Sequence, residues 1–94
     1  MQELTMITFS HLSDYLKHGR EIEFAYHGRQ YSITNHSGFW YLCDDTDHLL
    51  LSTLAPFSDK DLLISRTASA ILDGKTVSQI FNLCLYDPET LSIL

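Results

Sequence analysis

The chain has 94 residues, enough for one domain, and a formal net charge of −6 from twelve acids against six bases. Hydrophobic residues make up 45% and aromatics 12%, the composition of a chain that buries a core and does not stay disordered. The acidic balance disfavours nucleic acid, where affinity rests on Lys and Arg neutralising phosphates, and it disfavours an anionic membrane surface.

The first stretch, Met1 to Met6, has neither a basic n-region nor an apolar h-region, and no apolar run approaches the ~20 residues that span a bilayer. A cytoplasmic location is therefore expected. Thr8 or Ser10 can cap a first helix in which Phe9, Leu12, Tyr15 and Leu16 recur at helical spacing, and Gly19 is placed to end it. In the following segment Ile22, Phe24 and Tyr26 alternate with Glu21, Glu23 and Ala25, the pattern of a half-buried strand. His27-Gly28 reads as a two-residue hairpin turn. That turn fixes a register: Tyr26 opposite Arg29, Phe24 opposite Tyr31, Ile22 opposite Ile33. All the large apolar side chains then share one face, and a one-residue slip would undo the segregation.

Asn35-His36-Ser37-Gly38 reads as a second turn, returning the chain through residues 39–43. A loop of that length pairs Ile33 with Trp40 and Tyr31 with Leu42, so Trp40 and Leu42 join the core face while Phe39, Tyr41 and Cys43 point the other way. Asp44 to Asp47 form a third turn, and Leu49 to Ser52 a fourth strand that ends before Pro56. Ser58-Asp59-Lys60-Asp61 is a helix start, with Leu62, Leu63 and Ile64 as the buried stripe. Asp73-Gly74 breaks the chain, and Thr76 caps a short helix with Val77, Ile80, Phe81 and Cys84 on one side. Asp87-Pro88-Glu89-Thr90 reads as a second helix cap or as a turn before a frayed tail. The expected architecture is one α+β domain over residues 1–94: an N-terminal helix, a three- to four-stranded antiparallel meander sheet, and C-terminal helices packed on the sheet.

Residues 19–34, from Gly19 through the His27-Gly28 turn to Thr34, and then Gly38-Phe39-Trp40-Tyr41-Leu42, together resemble a group of small uncharacterised bacterial single-domain proteins with no assigned activity. The likeness continues through a Leu-rich helix and the segment from Ile71 to Ile80, and runs over roughly residues 9 to 81. It implies a helix, a meander sheet and C-terminal helices, and it carries no active-site residue. The tail after Leu83 departs from it.

Four sets of residues have the right chemistry for a site. His11, Asp14 and His18 fall on one side of the first helix and form a His-x2-Asp-x3-His candidate for a divalent ion, although a solvated polar face has the same pattern. Asp44, Asp45 and Asp47 are acidic enough for calcium but lack the glycine and the distal glutamate of an EF-hand loop. Glu21 and Glu23 share a strand face as paired carboxylates. Cys43 or Cys84 with a histidine would make a nucleophile and base, though isolated cysteines of this kind are ordinarily structural thiols. No cofactor and no catalytic residue is assigned. The remaining feature is aromatic: Phe39 and Tyr41, on the sheet face opposite the core with Ala25, are either covered from within the chain, by Leu49–Leu51 or by C-terminal elements such as residues 85–94, or form a contact surface for a protein partner or a second copy. The expected function is a non-enzymatic accessory or protein-interaction domain. The alternatives are a small metal- or thiol-dependent enzyme using the His/Cys set and, against the charge, a nucleic-acid binder with Arg20, Arg29 and Lys75 clustered.

Overall fold

The computed structural model describes residues 6–94; Met1 to Thr5, most of the N-terminal stretch considered above, lie outside the described residues. The elements run α1 (Phe9–Lys17), β1 (Ile22–Tyr26), β2 (Arg29–His36), β3 (Phe39–Asp44), β4 (Leu49–Pro56), α2 (Lys60–Ser69), β5 (Ile71–Leu72), β6 (Lys75–Thr76), α3 (Val77–Asn82) and β7 (Asp87–Ile93). An antiparallel sheet of five strands in the order β4-β3-β2-β1-β7 carries the helices on one face, which makes the fold α+β.

The first hairpin has the register its sequence dictates: Tyr26 faces Arg29, Phe24 faces Tyr31 and Ile22 faces Ile33. Its turn is made by His27 at φ 50° and Gly28 at φ 76°. Two left-handed residues in succession match the twist of the flanking strands, and the second is a glycine because it has no Cβ to clash. The apolar alternation then buries Ile22, Phe24, Tyr26, Tyr31 and Ile33 against helix residues Leu12, Leu16, Leu63, Val77, Ile80 and Phe81 in one cluster. Phe24 meets Phe81 edge-on at 5.0 Å between ring centroids, and Phe81 stacks on Tyr86 at 4.5 Å. The Tyr86 hydroxyl accepts from the Ile7 N–H at 2.8 Å and so fastens the segment before α1 to the far end of the chain.

Five features depart from the sequence reading. The second turn is only Ser37-Gly38, so Ile33 pairs with Leu42 and Asn35 with Trp40, two residues from the expected register. Ser37 adopts a φ of 51°, which shortens the loop; a shift of two preserves the side-chain faces, and Trp40 and Leu42 are buried as expected. The sheet gains a fifth strand because residues 87–93, read as a cap or a frayed tail, pair with β1 as β7. β4 runs past Ser52 to Pro56, with register shifts opposite Trp40/Tyr41 and Leu42/Cys43. In α2 the buried residues are Leu63 and Thr67, with Leu62 and Ile64 half-buried, and Cys84 is exposed just beyond α3, where its φ of 54° takes it off the helix. Helix α2 is capped as read, Asp59 accepting from the Leu62 N–H at 3.1 Å, and Thr76 and Gln79 cap α3 reciprocally. No helix among the described residues is long and apolar enough to cross a membrane.

Candidate functional site: the outer sheet face and the β4 edge

The outer face follows from the alternation of β3. With Trp40 and Leu42 fully buried beneath the sheet, Phe39, Tyr41 and Cys43 point away from the core. All the helices bury their apolar side chains in the cluster on the opposite face, and the outer face contributes no apolar residue to that cluster. Phe39 keeps 43% of its surface open, while Tyr41 and Cys43 are half-buried. The cross-strand partners extend the patch: Pro56 lies opposite Phe39, Thr53 opposite Tyr41, and Leu50 opposite Cys43. On the other side the neighbours are polar, with His36 beside Phe39, Thr34 beside Tyr41 and Ser32 beside Cys43. The result is an apolar strip along β3 and β4 with a polar margin on β2. Ala25 is on the same face but two strands away, where its N–H donates to the Thr90 hydroxyl at 2.8 Å, and it stands apart from the aromatic patch.

Toward β1 the face becomes acidic. A shallow cleft of about 450 Å³ there is bordered by Glu21, Glu23, Asp45 and His48. Glu21 reaches sideways along the sheet, one carboxylate oxygen accepting from the Thr34 hydroxyl and from the Asn35 N–H, so it fastens the start of β1 to β2 and is not half of a free carboxylate pair.

A second cleft, of about 360 Å³, opens on the core side between the first hairpin and the β5–β6 hairpin. The two hairpin tips meet there: His27 Nδ1 lies 2.5 Å from Asp73, and the His27 ring stacks on Tyr26. Arg29 reaches Asp44 at 3.0 Å and Asp47 at 2.5 Å. Asp44 is buried and also accepts from the Thr46 and Asp47 N–H groups, so the run of aspartates read as an acidic turn is a capped β3–β4 connection held by one guanidinium. Tyr31 forms part of the lining, its phenol pushed above the ordinary value by burial and then by the nearby Asp44 charge. Leu51 and Ile71 are the apolar walls, both exposed.

The other candidate sets are dispersed. His11 Nδ1 turns back to the Thr8 N–H at 3.3 Å and His18 Nδ1 sits 2.7 Å from the Asp14 carbonyl oxygen, so each ring serves its own helix end. Among the described residues no three His, Cys, Asp or Glu side chains are grouped to hold a metal ion. Cys43 and Cys84 are both free thiols. Burial, followed by the Asp45 charge, raises the Cys43 thiol above its ordinary value, the reverse of nucleophile activation. No histidine among the described residues hydrogen-bonds to either cysteine. Arg20 donates to the carbonyls of Leu94 and Ile93 and Arg29 serves the aspartates, so two of the three cations considered for phosphate contact already have partners.

Sequence reasoning reached Phe39 and Tyr41 but missed Leu50, Leu51 and the tip-to-tip cleft. The consecutive leucines were a signal, since three of them on a strand cannot all face the core. The cleft had none, because His27 and Asp73 stand 46 residues apart and meet only through the tertiary fold. Compared with protein-family models, curated proteins and solved structures, the chain matches none of them.

Proposed function

We propose that this is a non-enzymatic protein-interaction domain that engages its partner through the outer strip of β3 and β4. The observation that supports this reading is the apolar strip of Phe39, Tyr41, Leu50 and Pro56, which no helix among the described residues covers, on a sheet whose other face carries α1, α2 and α3. Scattered exposed apolar residues are ordinary, but a contiguous aromatic and aliphatic patch with a polar margin has the composition of a contact surface. A sheet face suits a protein better than a small molecule, which needs a concave site, and aromatic anchors of this kind each contribute about 2 kcal/mol or more at the centre of a well-packed interface. The resemblance to small bacterial proteins without assigned activity, and a cytoplasmic setting with reduced cysteines, are consistent with an accessory role. The thiol or metal enzyme draws less support, since its histidines and cysteines are dispersed.

The double substitution Phe39→Ser, Tyr41→Ser tests this reading. Urea melts should place the variant within about 1 kcal/mol of the parent, as expected for one exposed and one half-buried position outside the core cluster. Affinity capture from cells that make the protein should lose the co-purifying proteins. If the variant unfolds, these side chains belong to the core and the reading fails with them.

A further inference from the structure

β4 ends the sheet, and among the described residues no strand lies beside its outer edge. From Leu49 to Ala55 it carries no charge and no proline, and Leu49, Leu50 and Leu51 are 52%, 59% and 44% exposed. An open edge of this kind is a template for another strand, and folded proteins usually blunt it with charge, proline, bulges or cover; of these β4 has two bulges along Leu49–Ala55 and partial cover. β4 is covered only toward its end, where Leu54 and Ala55 are buried and Arg66 of α2 donates to the Leu54 carbonyl at 3.3 Å. Toward its start the register shift between Leu42 and Cys43 re-aims the chain, so that Leu50 stands opposite Cys43 on the outer face while Leu51 lines the cleft on the core side. A strand added beside Leu49–Ser52 would therefore place alternate side chains over the outer strip and over the cleft. That is how strand addition divides its work: main-chain hydrogen bonds give affinity and pockets for alternate side chains give selectivity.

We propose that this edge takes up an extended segment of a partner protein whose cleft-facing side chain is lysine or arginine. The inference rests on the contact reading above and names its partner class. Charge decides the class. The cleft is lined by Asp44 and Asp73 against one guanidinium, Arg29, and one imidazole, His27. Just outside the lining, Asp47 adds a third carboxylate on Arg29 and Lys75 a cation on the β5–β6 hairpin, and Asp73, its side chain 65% exposed, has His27 as its partner. The walls are Leu51 and Ile71, so an aliphatic stem lies on leucine and isoleucine while its cationic head meets Asp73. The rest of the edge agrees: Asp47 precedes β4 and Asp59 and Asp61 follow it, all exposed, on a chain of net charge −6. A second copy fits poorly. Two identical edges pair antiparallel about a two-fold axis, which sets Asp47 of one copy toward Asp59 and Asp61 of the other with no exposed cation on the strand between them.

The test is selection of a random dodecapeptide display library on the immobilised full chain, followed by titration of the synthetic winner into labelled protein by NMR. The winners should carry Lys or Arg within an alternating apolar run, and the winning peptide should shift the amides of residues 49–52. Replacing its basic residue with Glu, or changing Asp73→Asn in the protein, should weaken binding roughly two- to fivefold. Leu50→Lys, Leu51→Lys should abolish binding with an unchanged urea melt. The proposal is overturned by an absence of winners, by winners without a basic preference, by shifts that map away from β4, or by sedimentation showing that a second copy occupies the edge. If the peptide arm fails while Phe39→Ser, Tyr41→Ser still strips the captured proteins, the edge assignment falls and the face reading stands. If both fail, neither surface is a contact site.

Discussion

The sheet has two edges, and they are finished differently. β7 is built from Asp87, Pro88, Glu89 and Thr90 before its apolar end: Pro88 has no N–H to offer, the acids repel another acidic strand, and the Thr90 hydroxyl accepts from Ala25 where the pairing with β1 is irregular. Its last residues are tied down by the Leu94 N–H on the Glu21 carbonyl and by Arg20 on the carbonyls of Leu94 and Ile93. β4 begins with three exposed leucines and is shielded only where α2 crosses its end. One edge is closed by composition and the other, among the described residues, is left open along four residues. An open apolar edge is an aggregation hazard in an isolated chain, so its persistence beside the Phe39/Tyr41 strip is the contrast on which the proposed contact function rests.

The largest expected effect lies in the core that supports both edges. Phe24 is fully buried in the strand that β7 pairs with, and Phe24→Ala should cost about 3–5 kcal/mol in denaturant melts. A loss below about 1 kcal/mol would mean that the core face is misassigned and that the two edges have been described from the wrong side. Asp44→Ala comes next. It removes the buried acceptor of Arg29 and of two backbone N–H groups at the entrance to β4, and should cost about 2 kcal/mol while speeding amide exchange over residues 46–51 and leaving 87–93 unchanged. Equal acceleration at both edges would show that Asp44 supports the fold at large and not the open edge. The smallest effect is expected from Arg20→Ala. Its contacts are exposed, so the loss should be about 0.5 kcal/mol, with faster exchange confined to the end of β7. Faster exchange in β4 would contradict the independence of the two edges.

The outer face of β3 beside the open edge was more legible in sequence than the closed edge, for a physical reason. Strict alternation in residues 22–26 and 29–33, joined by a turn that only a left-handed pair can make, leaves one register, and the side-chain faces of β3 follow by parity even though its register was misjudged by two. Phe39 and Tyr41 could therefore be placed on the outer face without knowing how long the second turn was. β7 could not be read, because Asp87-Pro88-Glu89 has the chemistry of a cap or turn, and strand geometry there comes from pairing with β1, a partner more than sixty residues away. The cleft was hidden for the same reason: each of its ion pairs looks like an ordinary turn residue until the hairpin tips are brought together.

The central claim is that contact with a partner occurs on the β3–β4 side and not on the β7 side. Hydrogen exchange followed by mass spectrometry, on the chain alone and with its captured partner bound, compares the two sides in one experiment. Protection gained over residues 39–56 with none over 87–93 is the predicted result; protection confined to 87–93 or to the helices would contradict it.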